Sequence, residues 1–174
     1  MTDDGSLETD RLTLRPYTWG DLEDLARILG DPVGMVTMGG AFDLDGTRSW
    51  IERNLERQQQ DGFSRYAVIL GATGELVGDC GLITTSVEGE PKLELGWIVD
   101  AGLRRQGIAT EAATAWREHA FADLGLAGIV SMIDEGNTPS RRVAEKIGMS
   151  VERTALWGDG LPYLMYAMSN PRES

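Results

Sequence analysis

The strongest constraint on the fold lies mid-chain, where a β-type run, a helical stripe and a short apolar run follow one another. Over Lys92–Asp100 the residues alternate, with Leu93, Leu95, Trp97 and Val99 on one face and Glu94, Gly96 and Ile98 on the other. Thr110–Leu124 carries Ala113, Trp116, Ala120 and Leu124 on one helical face. Gly128–Ile133 is almost continuously apolar, as a buried central strand should be. The three segments form a β-α-β unit, which antiparallel hairpins alone cannot supply.

The flanks add hairpins and helices. Arg11–Pro16 alternates and stops at proline, the pattern of a first strand. Thr18 and Asp21 offer an N-terminal cap to the stripe Leu22, Leu25, Ala26 and Leu29, which ends at Gly30-Asp31-Pro32. A Gly- and Met-rich loop leads to a second, weakly amphipathic helix over Thr47–Gln60, expected to be exposed and mobile. Ser64–Leu70 and Glu75–Thr85 flank the turn Gly71–Gly74. Thr138-Pro139 opens a helix that turns Val143, Ala144 and Ile147 inward and stops at Gly148. Val151–Trp157 and Leu161–Ser169 read as a closing hairpin. The order β-α-α-β-β-β-α-β-α-β-β implies an α/β chain, a mixed sheet with helices packed on it.

With 174 residues and no internal repeat or long linker, one domain spanning 1–174 is expected, with residues 1–7 as a flexible tail. The acidic start lacks the order of a signal peptide, and no apolar run is long enough for a bilayer. One cysteine, Cys80, and one histidine, His119, leave neither an internal disulfide nor a zinc cluster. A cytoplasmic, metal-free protein is expected, with no membrane partner. The net charge of −12 argues against nucleic acid and suits a cationic amine, though an acidic surface also simply favours solubility.

Chemistry concentrates at Leu103-Arg104-Arg105-Gln106-Gly107-Ile108-Ala109-Thr110, between the strand and the helix. A helix N-terminus offers N–H groups without partners and a partial positive charge, and so attracts phosphate. Small residues at Gly107 and Ala109 allow close approach, and Arg104 and Arg105 add positive charge. The chain lacks the Gly-Lys-Ser/Thr of a P-loop and the Gly-x-Gly-x-x-Gly of a dinucleotide fold.

This loop resembles motif A of the GNAT acetyltransferase superfamily. Glu94-Leu95-Gly96-Trp97-Ile98-Val99-Asp100 looks like the family's fourth strand, and Ala109-Thr110-Glu111-Ala112 like the start of its third helix. Asn137–Met149 resembles its Asn-x-x-Ser helix, and Glu8–Pro16 is similar to the opening of the subgroup that acetylates ribosomal-protein N-termini. The resemblance implies a mostly antiparallel mixed sheet of about seven strands with about four helices, splayed in a V between strands four and five. It also implies acetyl-CoA as co-substrate, its pantetheine paired with the backbone of Ile98 and Val99. The pyrophosphate would rest on Arg104, Arg105, Gln106, Gly107, Ile108, Ala109 and Thr110. Arg141 and Arg142 are candidates for the ribose phosphate, or a solvated helix face.

In the same reading Glu94 is the general base, or a solvated carboxylate. Ser140 is the donor on the thiol side, or part of a helix cap, and Asn137 bridges to the ligands or caps that helix. Where many relatives carry a tyrosine acid this chain has Ala144, and Met149 replaces the usual aromatic. His119 is expected to be exposed and idle, and Cys80 to be a buried small hydrophobe, so direct transfer is favoured over an acyl-cysteine. The acceptor would meet the Met35–Phe42 loop, the second helix, Trp157 and Tyr163. A peptide α-amine is the expected acceptor; a small amine such as an aminoglycoside or polyamine, and a non-catalytic acyl-CoA-binding module, are the alternatives. A homodimer is left open.

Overall fold

The computed structural model describes residues 5–171. Its strands are β1 (Leu7–Glu8), β2 (Leu12–Arg15), β3 (Arg65–Leu70), β4 (Leu76–Val87), β5 (Glu90–Val99), β6 (Gly128–Ile133), β7 (Ser150–Leu156) and β8 (Pro162–Ser169). Its α-helices are α1 (Leu22–Leu29), α2 (Leu44–Asp61), α3 (Ile108–Ala122) and α4 (Thr138–Lys146). The strands form one eight-stranded sheet in the order β1-β2-β3-β4-β5-β6-β8-β7. Neighbours are antiparallel except β5 and β6, which are parallel and paired only at Glu94↔Val130. That pair is the splay expected between the fourth and fifth strands; the short β1 shifts the numbering by one. Residues 1–4 of the expected tail lie outside the described residues, while Ser6 and Leu7 are buried and Leu7 pairs with Leu14.

Side-chain alternation along the strands makes two cores. On one face Leu14, Val68, Leu82 and Leu95 pack with Trp116 of α3, Ala144 of α4 and Ile147 just after it. Trp116 meets Tyr66 edge-on at 4.7 Å. On the other face Ala67, Leu76 and Ile98 pack under Leu25, Ile28 and Leu29 of α1 and Ile51 of α2. A smaller cluster of Val87, Val130, Ala155 and Met165 lies beside Trp157. Among the described residues no helix is long and apolar enough to cross a membrane.

Helix ends explain most boundary differences. α2 starts at Leu44 rather than Thr47 because Asp43 Oδ1 accepts from the Gly46 N–H at 2.7 Å. Its apolar content is low, yet it buries Thr47, Ile51 and Asn54. The Asn54 side chain holds two backbones at once, donating to Trp50 O (2.9 Å) and accepting from the Arg65 N–H (3.2 Å). Asp21 accepts from the Thr18 N–H at 2.7 Å, as the capping pattern implies, and also forms a two-pronged pair with Arg15.

His119 departs from expectation. It is buried, 5% exposed, with Nδ1 2.7 Å from Asp123 Oδ2 and its ring 5.6 Å from that of Trp116. Ala112, Trp116 and His119, spaced four and three, form a second buried row beside Ala113 and Ala120. Cys80 is buried, and burial pushes its thiol well above the ordinary range, which removes it as a nucleophile.

Candidate active site

The gap between β5 and β6 follows from their single pairing. One residue past Glu94, the Leu95 carbonyl is met by the Ser131 hydroxyl at 2.5 Å instead of by a strand N–H. Beyond it, β5 as far as Ile98 and Val99 pairs only with β4, so one backbone edge is left without a strand partner among the described residues. Such an edge accepts an extended ligand as an added strand.

At the end of β5 the chain turns sharply. Asp100 Oδ1 accepts from the Gly102 N–H at 2.8 Å, and its other oxygen pairs with Arg27 of α1. Arg105 and Gly107 then take left-handed backbone angles, φ +62° and +84°. At Gly107, the residue before α3, a Cβ would be conformationally strained and would lie 3.3 Å from Arg11 Nη2. Gly107 has no side chain to cap α3, so the first-turn N–H groups keep their capacity to bind an anion. Arg104, Arg105, Gln106 and Gly107 are exposed, Ala109 and Thr110 half-buried, and Ile108 is anchored in the core. This cradle and the open β5 edge fit a pyrophosphate with an extended pantetheine arm.

The loop is braced from behind by residues that sequence reasoning passed over. Arg11 donates through Nη1 to Gln106 O at 3.0 Å and through Nε to Glu111 Oε2 at 2.6 Å. Thr9 Oγ1 adds a 2.6 Å bond to Glu111 Oε1. Each belongs to a quoted motif, but the 95–102 residue separations hide their contact.

The second bank is the start of α4. Asn137 is its cap: Oδ1 accepts from the Ser140 N–H at 3.2 Å, and Nδ2 donates to Thr37 Oγ1 at 3.0 Å. Ser140 contributes only its N–H to that cap, so its hydroxyl is not the capping group. Arg104 Nη2 donates to Gly34 O at 3.3 Å, so the 34–37 loop spans both banks of the gap. Arg141 is engaged within the fold, with Tyr166 Oη at 3.2 Å and Glu135 O at 3.1 Å, whereas Arg142 is exposed. Ala144 is fully buried.

Glu94 sits at the junction, 9% exposed and on the face of Gly96 and Ile98. Burial pushes its carboxyl up to about 7, against Arg65, a Met132 backbone hydrogen bond and Arg57, all of which favour the ionised form. Arg65 packs across Gly96, where a Cβ would collide with Nη1, and stacks 5.3 Å from the Trp50 ring centre. Behind it lies a second carboxylate that sequence reasoning missed. The fully buried Asp79 accepts from Tyr17 Oη, Trp50 Nε1 (3.0 Å) and Arg65 Nε. Arg65 Nη2 lies against the same oxygen without making a hydrogen bond.

Comparison with known proteins agrees with this arrangement. The family model of the acetyltransferase (GNAT) domain matches residues 11–150. The uncharacterized protein YkkB of Bacillus subtilis (strain 168) is 34% identical over 149 residues, 85% of this chain and 87% of its own. An acetyltransferase structure from Agrobacterium tumefaciens str. C58 superposes with a TM-score of 0.82 at 33% identity, covering 94% of this chain and 93% of that one. A GNAT-family acetyltransferase from Bacillus anthracis gives 0.81 at 27% identity, with 95% and 98% covered. None of the three names an acceptor. With the family model running from β2 to the first residue of β7, the chain belongs to the GNAT acetyltransferases, enzymes that draw their acetyl group from acetyl-CoA.

Proposed function

We propose that the enzyme transfers acetyl directly from acetyl-CoA to the α-amine of a peptide or protein N-terminus, with Glu94 as general base and Ser140 as donor to the departing sulfur. The observation that carries this reading is Glu94 itself, a buried carboxyl at the mouth of the splay with a pKa of about 7. A base of that strength is matched to an α-amine, reference pKa about 7.7–8.0, and poorly to a lysine-like amine near 10.4. Glu94 takes the ammonium proton, and the freed nitrogen attacks the thioester carbonyl carbon. The nitrogen gives up its second proton as the carbon–sulfur bond breaks, and that proton passes through the Ser140 hydroxyl to the sulfur, which leaves as CoA thiol. Ile98 and Val99 would align the pantetheine through their backbone, Arg104–Thr110 would hold the pyrophosphate, and Asn137 would keep Ser140 in place. Val33, Val36 and Leu161 are large apolar side chains left exposed on the α1–α2 loop and the β7–β8 turn, where an acceptor chain could lie.

The test follows thiol release from acetyl-CoA with three acceptors: a peptide with a free α-amine, the same peptide α-blocked with a free lysine, and a polyamine. The free α-amine should react fastest. Glu94→Gln should lower kcat about 100-fold, within the usual range for a general base, and Ser140→Ala should lower it less. Full activity in both variants would remove the mechanism, and turnover of the polyamine alone would favour a small-amine acceptor.

A further inference from the structure

The peptide reading leaves open what kind of N-terminus fits, and α2 bears on this. A cavity of about 490 Å³ lies against the helix start, lined by Ala41, Phe42, Asp43, Gly46, Ser49 and Arg53. Gly46, Ser49 and Arg53 are spaced three and four, and the next position on that stripe is the half-buried Arg57. Arg53 lines the cavity and Arg57, one turn on, is an electrostatic neighbour of Glu94 on β5. Arg57 has Arg53, Arg65, Asp61 and Glu94 as its charged neighbours, and burial with the two arginines lowers its affinity for a proton. In a chain with 28 acidic and 16 basic residues, Arg57 and Arg65 both act on Glu94, and Arg53 stands one turn from Arg57.

Their partners differ. Arg65 is matched to the buried Asp79 and Arg48 to Asp45. Among the described residues neither Arg53 nor Arg57 forms a salt bridge. Asp43, the carboxylate in the cavity wall, is occupied with the Gly46 N–H. Two arginines one helical turn apart repel each other, and partial burial strengthens the repulsion by lowering the local dielectric. A carboxylate between them relieves that repulsion and takes paired N–H donors from each planar fork.

We propose that Arg53 and Arg57 form a carboxylate subsite for the acceptor, selecting peptides with Asp or Glu at the positions that follow the N-terminal residue. This rests on the peptide α-amine reading above and adds to it a charge class. The amine faces Glu94 while the acidic side chains lie along α2, a reach of one or two extended residues at about 3.3 Å each. The overall acidity of the protein would otherwise repel such a peptide, so the arginine stripe supplies a local exception.

The experiment compares kcat/KM for three peptides with the same free serine α-amine, followed by two aspartates, two asparagines or two lysines, with spermidine as a fourth acceptor. The aspartate peptide should exceed the asparagine peptide at least tenfold, mainly through KM, and the advantage should shrink with added salt. Arg53→Gln/Arg57→Gln should reduce the aspartate preference to within about twofold, and Arg53→Glu/Arg57→Glu should turn it towards lysine. Calorimetric titration with acetyl-CoA checks that both variants remain folded. Equal rates on aspartate and asparagine peptides, or a preference that survives both variants, would overturn the subsite and leave the peptide reading intact. Turnover of spermidine with none of the peptides would end both.

Discussion

At the scale of single residues, Glu94 links catalysis to stability with opposite signs. Its carboxyl is raised from 4.5 to about 7, chiefly by burial. Between those values the unfolded chain has released a proton that the folded protein still holds, so stability falls as pH rises across the window. The loss amounts to on the order of 3 kcal/mol at most. Glu94→Gln should therefore melt no lower than the parent at pH 8, and by several degrees higher where the amide finds a partner, while losing most activity. A base must be ionised to act, so kcat/KM should rise through an apparent pKa of about 7, and Glu94→Gln should leave only the limb of the acceptor amine. A variant that melts well below the parent at pH 8 would mean that the carboxylate supports the fold. Asp79 carries the opposite prediction. Removing a buried, paired carboxylate costs about 3–5 kcal/mol, so Asp79→Asn should lower Tm by about 6–20 °C. With Arg65 no longer neutralised, its charge would act more strongly on Glu94 and move the kinetic limb to lower pH.

At the scale of elements, the strand-to-helix turn before α3 depends on one backbone angle. Gly107→Val forces a β-branched residue to φ +84° and places a side chain in the mouth of the cradle. Acetyl-CoA affinity should fall at least tenfold by calorimetry, with a Tm loss of only a few degrees, since Gly107 is exposed. An unchanged affinity would place the pyrophosphate elsewhere. This turn was legible because its requirements are local: small residues, adjacent arginines and a helix start. The strands were legible for the same reason, and the alternation over β5 shows in its packing, with Leu93, Leu95, Trp97 and Val99 in the larger core and Ile98 in the one on the opposite face. What escaped reading depends on distant partners. Asp79 looks like a strand residue of unremarkable context until Tyr17, Trp50 and Arg65 arrive from three other segments. His119 appears idle on a narrow stripe, but α3 is covered over a wider arc than one row of apolar residues suggests. α2 reads as weakly amphipathic because Thr47 and Asn54, buried polar residues that hydrogen-bond to backbone carbonyls, do part of its packing.

At the scale of the whole molecule, the sheet is two antiparallel halves, β1 to β5 and β6 to β8, joined strand to strand at a single pair. The Ser131–Leu95 hydrogen bond and the Arg153–Glu88 ion pair also cross the seam, and α3 and α4 brace it, with Arg117 of α3 reaching Ile147 O at 3.0 Å and both helices sharing the larger core. The same seam supplies the open backbone edge of β5 and the uncapped start of α3. An extended ligand lying there would tie the end of the first half to the helices that brace the second. Binding to the folded state alone stabilises it by about 2.7 kcal/mol when the ligand is at 100 times its Kd, equivalent to about 5–10 °C in a domain of this size. Acetyl-CoA should produce a rise of that order, and amide hydrogen exchange should locate its origin. Slowed exchange is expected at the β5 end around Ile98 and Val99 and over residues 104–110, with the β1–β2 edge and the β7–β8 turn unchanged. Protection centred on the β7–β8 turn instead, with the β5 edge still exchanging freely, would show that the ligand enters from the acceptor side and that the two half-sheets are not bridged by the cofactor.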